Sequence, residues 1–251
     1  MVYNLVRKRG VPVLAYCPSD QTIPWPCSLT IQYDDRHATP QVAVSLQSLI
    51  RVDGFDDKQA FTLRYEGDNL VPGTMSLGLA NIRFPKEWSD VIARPGTPQI
   101  RTLSLTLKTP CSVWYPRSLG SQPSKHGLDT PPFQQLARLS RATAVCILFD
   151  CSWLGHDNHE RLQRLVGCSL ELTSVAAGQN FTQVYRQADR SVFSEDAVAR
   201  ALPSIEETTR DAPPAYAYVS GKRSRQCKSS YPTPSPASIT NAQNSLLQCH
   251  A

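Results

Sequence analysis

The sequence lacks any run long and apolar enough to cross a bilayer as a helix. The longest apolar-like stretch, 142–149, falls far short of the roughly 20 residues such a helix needs. No apolar segment precedes Arg7-Lys8-Arg9, so no signal peptide is expected. There is no CxxC pair. The eight cysteines, at 17, 27, 111, 146, 151, 168, 227 and 249, are irregularly spaced, unlike a dense secreted disulfide scaffold. These absences predict a soluble intracellular protein with reduced thiols, in nucleus, cytoplasm or both, with no membrane partner. On that reading the Asn180-Phe181-Thr182 sequon is a chance match. Glycine is sparse, 12 residues against 20 prolines, which favours many short elements over long helices. GxSxG, phosphate-loop and HExxH signatures are missing too. No cofactor and no metal are expected.

What is present is an alternating pattern. Leu29, Ile31 and Tyr33 alternate with Ser28, Thr30 and Gln32; Phe61, Leu63 and Tyr65 with Thr62, Arg64 and Glu66; Leu103, Leu105 and Leu107 with Ser104, Thr106 and Lys108. Each reads as a strand with one polar face. Val42, Val44, Leu46, Ile50 and Val52 share one parity, broken at Ser48. Turn residues separate the runs: Asp34-Asp35, Asp53-Gly54, Gly67-Asp68-Asn69, Pro72-Gly73 and Pro95-Gly96. The pattern then changes. Thr130 reads as a helix cap before Pro131, with Phe133, Leu136 and Leu139 as the apolar stripe. A strand buried on both faces follows over 144–149. A second helix has the Asp157 and Glu160 capping spacing before Leu162 and Leu165, and stops at Gly167. Another helix is expected from Ser194 to before Pro203.

The predicted fold is α+β: an antiparallel sandwich-like sheet closed by a helix–strand–helix unit, then a disordered tail. The boundaries expected are a flexible basic leader over 1–10, a globular body over 11–204 and a Pro/Ser-rich basic tail over 205–251. Residues 211–251 hold Lys222, Arg223, Arg225 and Lys228 against Asp211, so most of the net charge of +5 sits in the tail. A body this balanced gives no electrostatic reason to expect nucleic acid.

The tail carries the motifs with a recognised mechanism. Pro213, Pro214 and Tyr216 match the PPxY signature of WW-domain ligands: two prolines pre-set a polyproline rod and the tyrosine fills a second pocket. The competing reading is ordinary linker composition. Lys222, Arg223 and Arg225 resemble a short nuclear-import signal, with Arg7-Lys8-Arg9 a weaker copy; the competing reading is a solubilising patch. Thr233 and Ser235 each precede proline, the minimal site for proline-directed kinases, and phosphorylation there would offset the basic cluster.

The body offers weaker candidates. Cys146, Cys151, His156, His159 and Cys168 are zinc-ligand types, but their spacing matches no standard finger, and an extended 144–151 would point the first two to opposite faces. Asp150, at the end of the buried strand, is where α/β enzymes place carboxylates. Asp34, Asp35 and His37 are explained by turn chemistry. Four dispersed tryptophans read as core or rim.

Leu63–Gly73, Thr109–Ser118, Cys146–Leu154 and the PPAY and KRSR motifs together resemble a group of proteins from filamentous fungi with a PPxY/KRxR tail. The likeness spans roughly 11–226, implies no activity and supplies no catalytic residues. A strand-rich body followed by PPxY is also similar in layout to arrestin-like ubiquitin-ligase adaptors, which carry two sandwich domains. The expectation is an interaction or adaptor protein whose tail docks a WW-domain protein, such as a HECT-type ubiquitin ligase, and an import receptor. The alternatives are a hydrolase or transferase with its site near Asp150, or a DNA-associated regulator.

Overall fold

Period-two alternation builds most of the molecule. The computed structural model describes residues 2–7, 9–80, 85–120, 130–167 and 171–188, with backbone alone at 20–23. All belong to Met1–Ser204, the first of two units into which the chain divides. The strands are β1 Tyr3–Asn4, β2 Val11–Cys17, β3 Asp20–Asp34, β4 Gln41–Ile50, β5 Gln59–Glu66, β6 Ser76–Leu79, β7 Ile100–Thr106, β8 Ser112–Pro116, β9 Ala144–Asp150, β10 Thr173–Ser174 and β11 Tyr185–Gln187. The helices among the described residues are α1 Lys86–Ile92, α2 Pro131–Arg141, α3 His156–Gly167 and α4 Gln179–Val184.

All the strands join one sheet in the order β11-β8-β5-β4-β3-β2-β9-β7-β6, with β1 added to β3 and β10 to β4. Every pairing is antiparallel except β10 on β4. The protein is therefore α+β, dominated by an antiparallel sheet. One parity of each strand enters a single core: Val11 and Val13 of β2, Leu29 and Ile31 of β3, Val44 and Leu46 of β4, Leu63 and Tyr65 of β5, Ile147 and Phe149 of β9. Helices α2 and α3 add Phe133, Leu136, Leu162 and Leu165. Phe133 meets Phe61 edge-on, ring centroids 5.7 Å apart at 85°. Burying a side chain of this kind contributes about 1.5–3 kcal/mol.

The expected helices over 131–141 and 156–167 form, with differences at their starts. Thr130 holds the N-cap position of α2, but its hydroxyl makes no capping bond. Pro132 has no N–H to offer, and the Phe133 N–H bonds the Thr130 carbonyl at 2.9 Å instead. Helix α3 begins at His156, which puts Asp157 inside its first turn. Within the stretch read as a leader, Tyr3–Asn4 pair with Tyr33 and Gln32, and Leu5 and Val6 are buried. Two adjacent apolar residues beside an open edge of β3 are enough to draw that segment onto the sheet. The helix expected from Ser194 lies outside the described residues.

One glycine is set by a close approach. Beyond Glu66, β10 takes the place of β5 beside β4, and Thr173 O comes within 2.1 Å of where a Cβ on Gly67 would stand. Only glycine lets the two backbones pass there.

Candidate functional site

The face of β3, β4 and β5 turned away from the core is polar, and register aligns it in rows. Ser28 pairs with Gln47, Gln47 with Thr62, and Thr62 with Trp114 of β8. The next row runs Thr30, Ser45, Arg64, Ser112. Gln47 Nε2 donates to Thr62 Oγ1 at 3.2 Å. The floor is thus a mesh of hydroxyls and amides on rigid strands.

The segment 175–184, between β10 and β11, passes over this face. Arg64, 4 % exposed, holds it down. Its Nε donates to Glu66 Oε1 at 2.5 Å, its Nη1 to Gln32 Oε1 at 3.4 Å, and its Nη2 to the Val175 carbonyl. Phe181 of α4 rests on Trp114 with centroids 5.2 Å apart and stacks on Tyr185 at 4.8 Å. Arg117 Nε donates to Thr182 O at 3.1 Å. Between floor and roof lies a cavity of about 190 Å³, lined by Ser28, Thr30, Gln32, Ser45, Gln47, Thr62 and Arg64, with Arg9, Gly178 and Phe181 at its rim. A second, more open hollow of about 300 Å³ shares Arg64 and continues past Glu66, Asp68, Asn69, Thr109 and Ser112. Glu66 Oε2 and Trp114 Nε1 are buried without a hydrogen-bond partner among the described residues. The buried cation of the site, Arg64, is already spent on a carboxylate, an amide and a carbonyl.

Asp150 has a different task from the one its position suggested. It is fully buried at the end of β9. Its Oδ1 accepts from the backbone N–H groups of Gln99 at 2.8 Å and Ser152 at 2.9 Å, and its Oδ2 from that of Arg94 at 2.8 Å. Burial pushes its pKa up, but the backbone donors outweigh it and hold the carboxyl below its ordinary value. The side chain is an anchor for two loops. His156 does not join it: its side chain is 87 % exposed beside Asp157 and Glu160, at 3.8 and 3.9 Å. His159 lies further along α3 and lines none of the described cavities.

Cys146 sits by Ser104 Oγ at 3.6 Å, whereas Cys151 is buried, which pushes its thiol up to about 11. Among the described residues no group of three or more His, Cys, Asp or Glu converges as a metal site; Cys168 lies outside them. Asp34 is buried and grips its neighbour Arg36 at 2.8 and 2.5 Å, which is turn chemistry.

The tail residues Pro213, Pro214, Tyr216, Lys222, Arg223, Arg225, Thr233 and Ser235 lie outside the described residues. The polar residues of β3 and β5 were visible in the sequence as the second parity of those strands; those of β4 and β8 were not read. The roof was not visible, because 175–184 carries no strong period. No family model, no curated protein and no solved structure matches this chain.

Proposed function

We propose that this chain is a non-enzymatic intracellular adaptor, in nucleus, cytoplasm or both. Its tail docks a WW-domain protein, such as a HECT-type ubiquitin ligase, through Pro213, Pro214 and Tyr216. Its body, a sandwich-like sheet closed by the α2–β9–α3 unit, serves as the platform for a partner. Lys222, Arg223 and Arg225 recruit an import receptor, and phosphorylation at Thr233 or Ser235 opposes that basic cluster. The observation that carries the reading is Tyr216, set in a Pro-rich stretch only a few residues before the KRSR cluster. Such composition favours an extended, exposed chain, the form in which polyproline ligands are presented.

The geometry at Asp150 supports the adaptor over the hydrolase or transferase alternative. A carboxylate that is fully buried, accepts three backbone N–H bonds and is held below its ordinary pKa is poorly placed to take a substrate proton. Calorimetric titration of a peptide spanning Glu206 to Gln226 against a panel of WW domains tests the docking role. The expected result is a dissociation constant in the range of about 1 to 100 μM, lost in Tyr216→Ala. Absence of binding by every WW domain would reduce PPAY to linker composition.

A further inference from the structure

Two guanidinium groups converge on one indole. The Arg7 carbon lies 4.7 Å from the Trp153 ring centroid and that of Arg94 lies 5.9 Å from it. A third, Arg161, sits 4.3 Å over the ring of Tyr3. The two groups are neighbours, because Tyr3 and Arg7 are four residues apart on one segment, a reach of at most about 14 Å. Trp153 and Arg161 likewise belong to one segment, the turn before α3 and α3 itself.

These arginines hang from rigid backbone. The Arg7 carbonyl accepts from Gly10 N–H at 2.7 Å, and Leu5 N–H bonds Ile31 O at 2.9 Å. The Arg94 N–H is one of the three bonds to Asp150, and Trp153 Nε1 donates to Ile92 O at 2.9 Å. Arg161 is within α3. Asp150 therefore sets the position of the cluster as well as closing the loops.

Among the described residues no carboxylate forms an ion pair with these three arginines, although Asp150 lies under the Arg94 backbone and Asp157 and Glu160 share α3 with Arg161. The described ion pairs lie elsewhere, at Arg36–Asp34, Arg64–Glu66 and around His156. Arg94 donates one Nη1 to Ser152 O at 2.8 Å, and Arg161 reaches Asn158 Oδ1 at 3.4 Å. Arg7 and Arg94 are exposed and Arg161 is half-buried, and each guanidinium has five N–H donors, of which the described hydrogen bonds use one on Arg94 and one on Arg161. Arg7 and Arg94 share one ring and so stand no more than about 11 Å apart, close to the Debye length of about 10 Å at 0.1 M salt, and an anion placed against them relieves their repulsion.

We propose that Arg7, Arg94 and Arg161 form a docking surface for an acidic peptide, whose closely spaced carboxylate or phosphate groups are gripped by the guanidinium edges. Arginine forks match both groups in a bidentate way. Single-stranded nucleic acid needs open aromatic faces for its bases, and here arginines lie over the rings. Anionic membrane surfaces are held by about four to eight basic residues or by an apolar wedge, and this cluster provides neither. The surface is independent of the PPxY motif.

The test uses the full chain and a fluorescein-labelled oligoglutamate peptide of about eight residues, followed by anisotropy at roughly 50 and 150 mM salt. Saturable binding that weakens at the higher salt is expected. The Arg7→Ala/Arg94→Ala double variant should weaken it about tenfold or more. The Lys222→Ala/Arg223→Ala/Arg225→Ala variant removes the separate basic cluster of the tail and should weaken binding less than the Arg7→Ala/Arg94→Ala variant does. Should the double variant unfold, Arg161→Gln provides the same readout at the second ring. A peptide carrying phosphothreonine in place of part of the glutamate separates the two anions: tighter binding through the same arginines assigns phosphate, equal binding assigns carboxylate. The proposal is overturned if neither peptide saturates, if the arginine variants bind as well as the native chain, or if the tail variant abolishes binding. It is also overturned if a DNA duplex of about 20 base pairs binds more tightly than both peptides through these arginines.

Discussion

The second face of the sheet is covered in two different ways. Over β2 and β9 the cover is apolar, with Leu14, Tyr16 and Leu148 packing on Ile92 of α1. Over β3, β4 and β5 the cover is polar, and segment 175–184 is held by Arg64, Arg117 and an aromatic contact. Apolar cover needs only shape and area, so it closes tightly. Directed hydrogen bonds hold the other cover at a few points and leave the 190 Å³ cavity beneath it. Each region also holds a buried ionised group: Asp150 meets chiefly backbone donors, whereas Arg64 meets a carboxylate, an amide and a carbonyl.

If that contrast is right, the largest loss comes from Asp150→Ala, which leaves three N–H groups without an acceptor. About 3–5 kcal/mol of unfolding free energy should disappear in denaturant titration, and Asp150→Asn should cost less because it keeps one acceptor. The same residue gives a pH signature. Its folded-state pKa is lowered, so its stabilisation is full above the unfolded carboxyl value of about 3.9 and is lost as pH falls through the lower folded value. The gap between native chain and Asp150→Asn should therefore shrink on acidification below about pH 4.

Arg64→Ala comes next, at about 2–4 kcal/mol, because Glu66, Gln32 and Val175 lose their donor together. Hydrogen exchange should then accelerate in 175–184 and stay slow in β9; equal acceleration in both would break the contrast. Gly67→Ala, with its Cβ driven at Thr173 O, should cost about 1–3 kcal/mol and free β10 from β4. Phe181→Ala should cost least, about 1 kcal/mol, and should loosen the roof without touching the floor.

Strands with clean alternation, such as 28–33 and 61–66, were legible because apolar and polar residues take turns; in 28–33 burial alternates with them, whereas in 61–66 Thr62 and Arg64 of the polar parity are buried as well. Helix α2 was legible from Pro131 and its Phe133, Leu136 and Leu139 stripe, all of which are buried. β6, α1, α4 and β11 are short, and neither their period nor their caps rise above background. The floor of the candidate site was readable as Ser28, Thr30, Gln32, Thr62 and Arg64. Its roof was not, since a contact between Arg64 and Val175 spans 111 residues and leaves no local pattern. Asp150 was read from its place at a strand end as a candidate site carboxylate, but a strand-end carboxylate reads the same whether it faces a substrate or its own loops.

The central claim is that the tail presents its PPxY motif in the intact protein. The direct measurement is calorimetric titration of the full-length chain with the WW domain that binds the Glu206–Gln226 peptide most tightly. The account predicts one site per chain, an affinity within about threefold of the peptide's, and loss of heat in full-length Tyr216→Ala. A full-length chain that gives no binding heat, or that binds equally well after Tyr216→Ala, would contradict it.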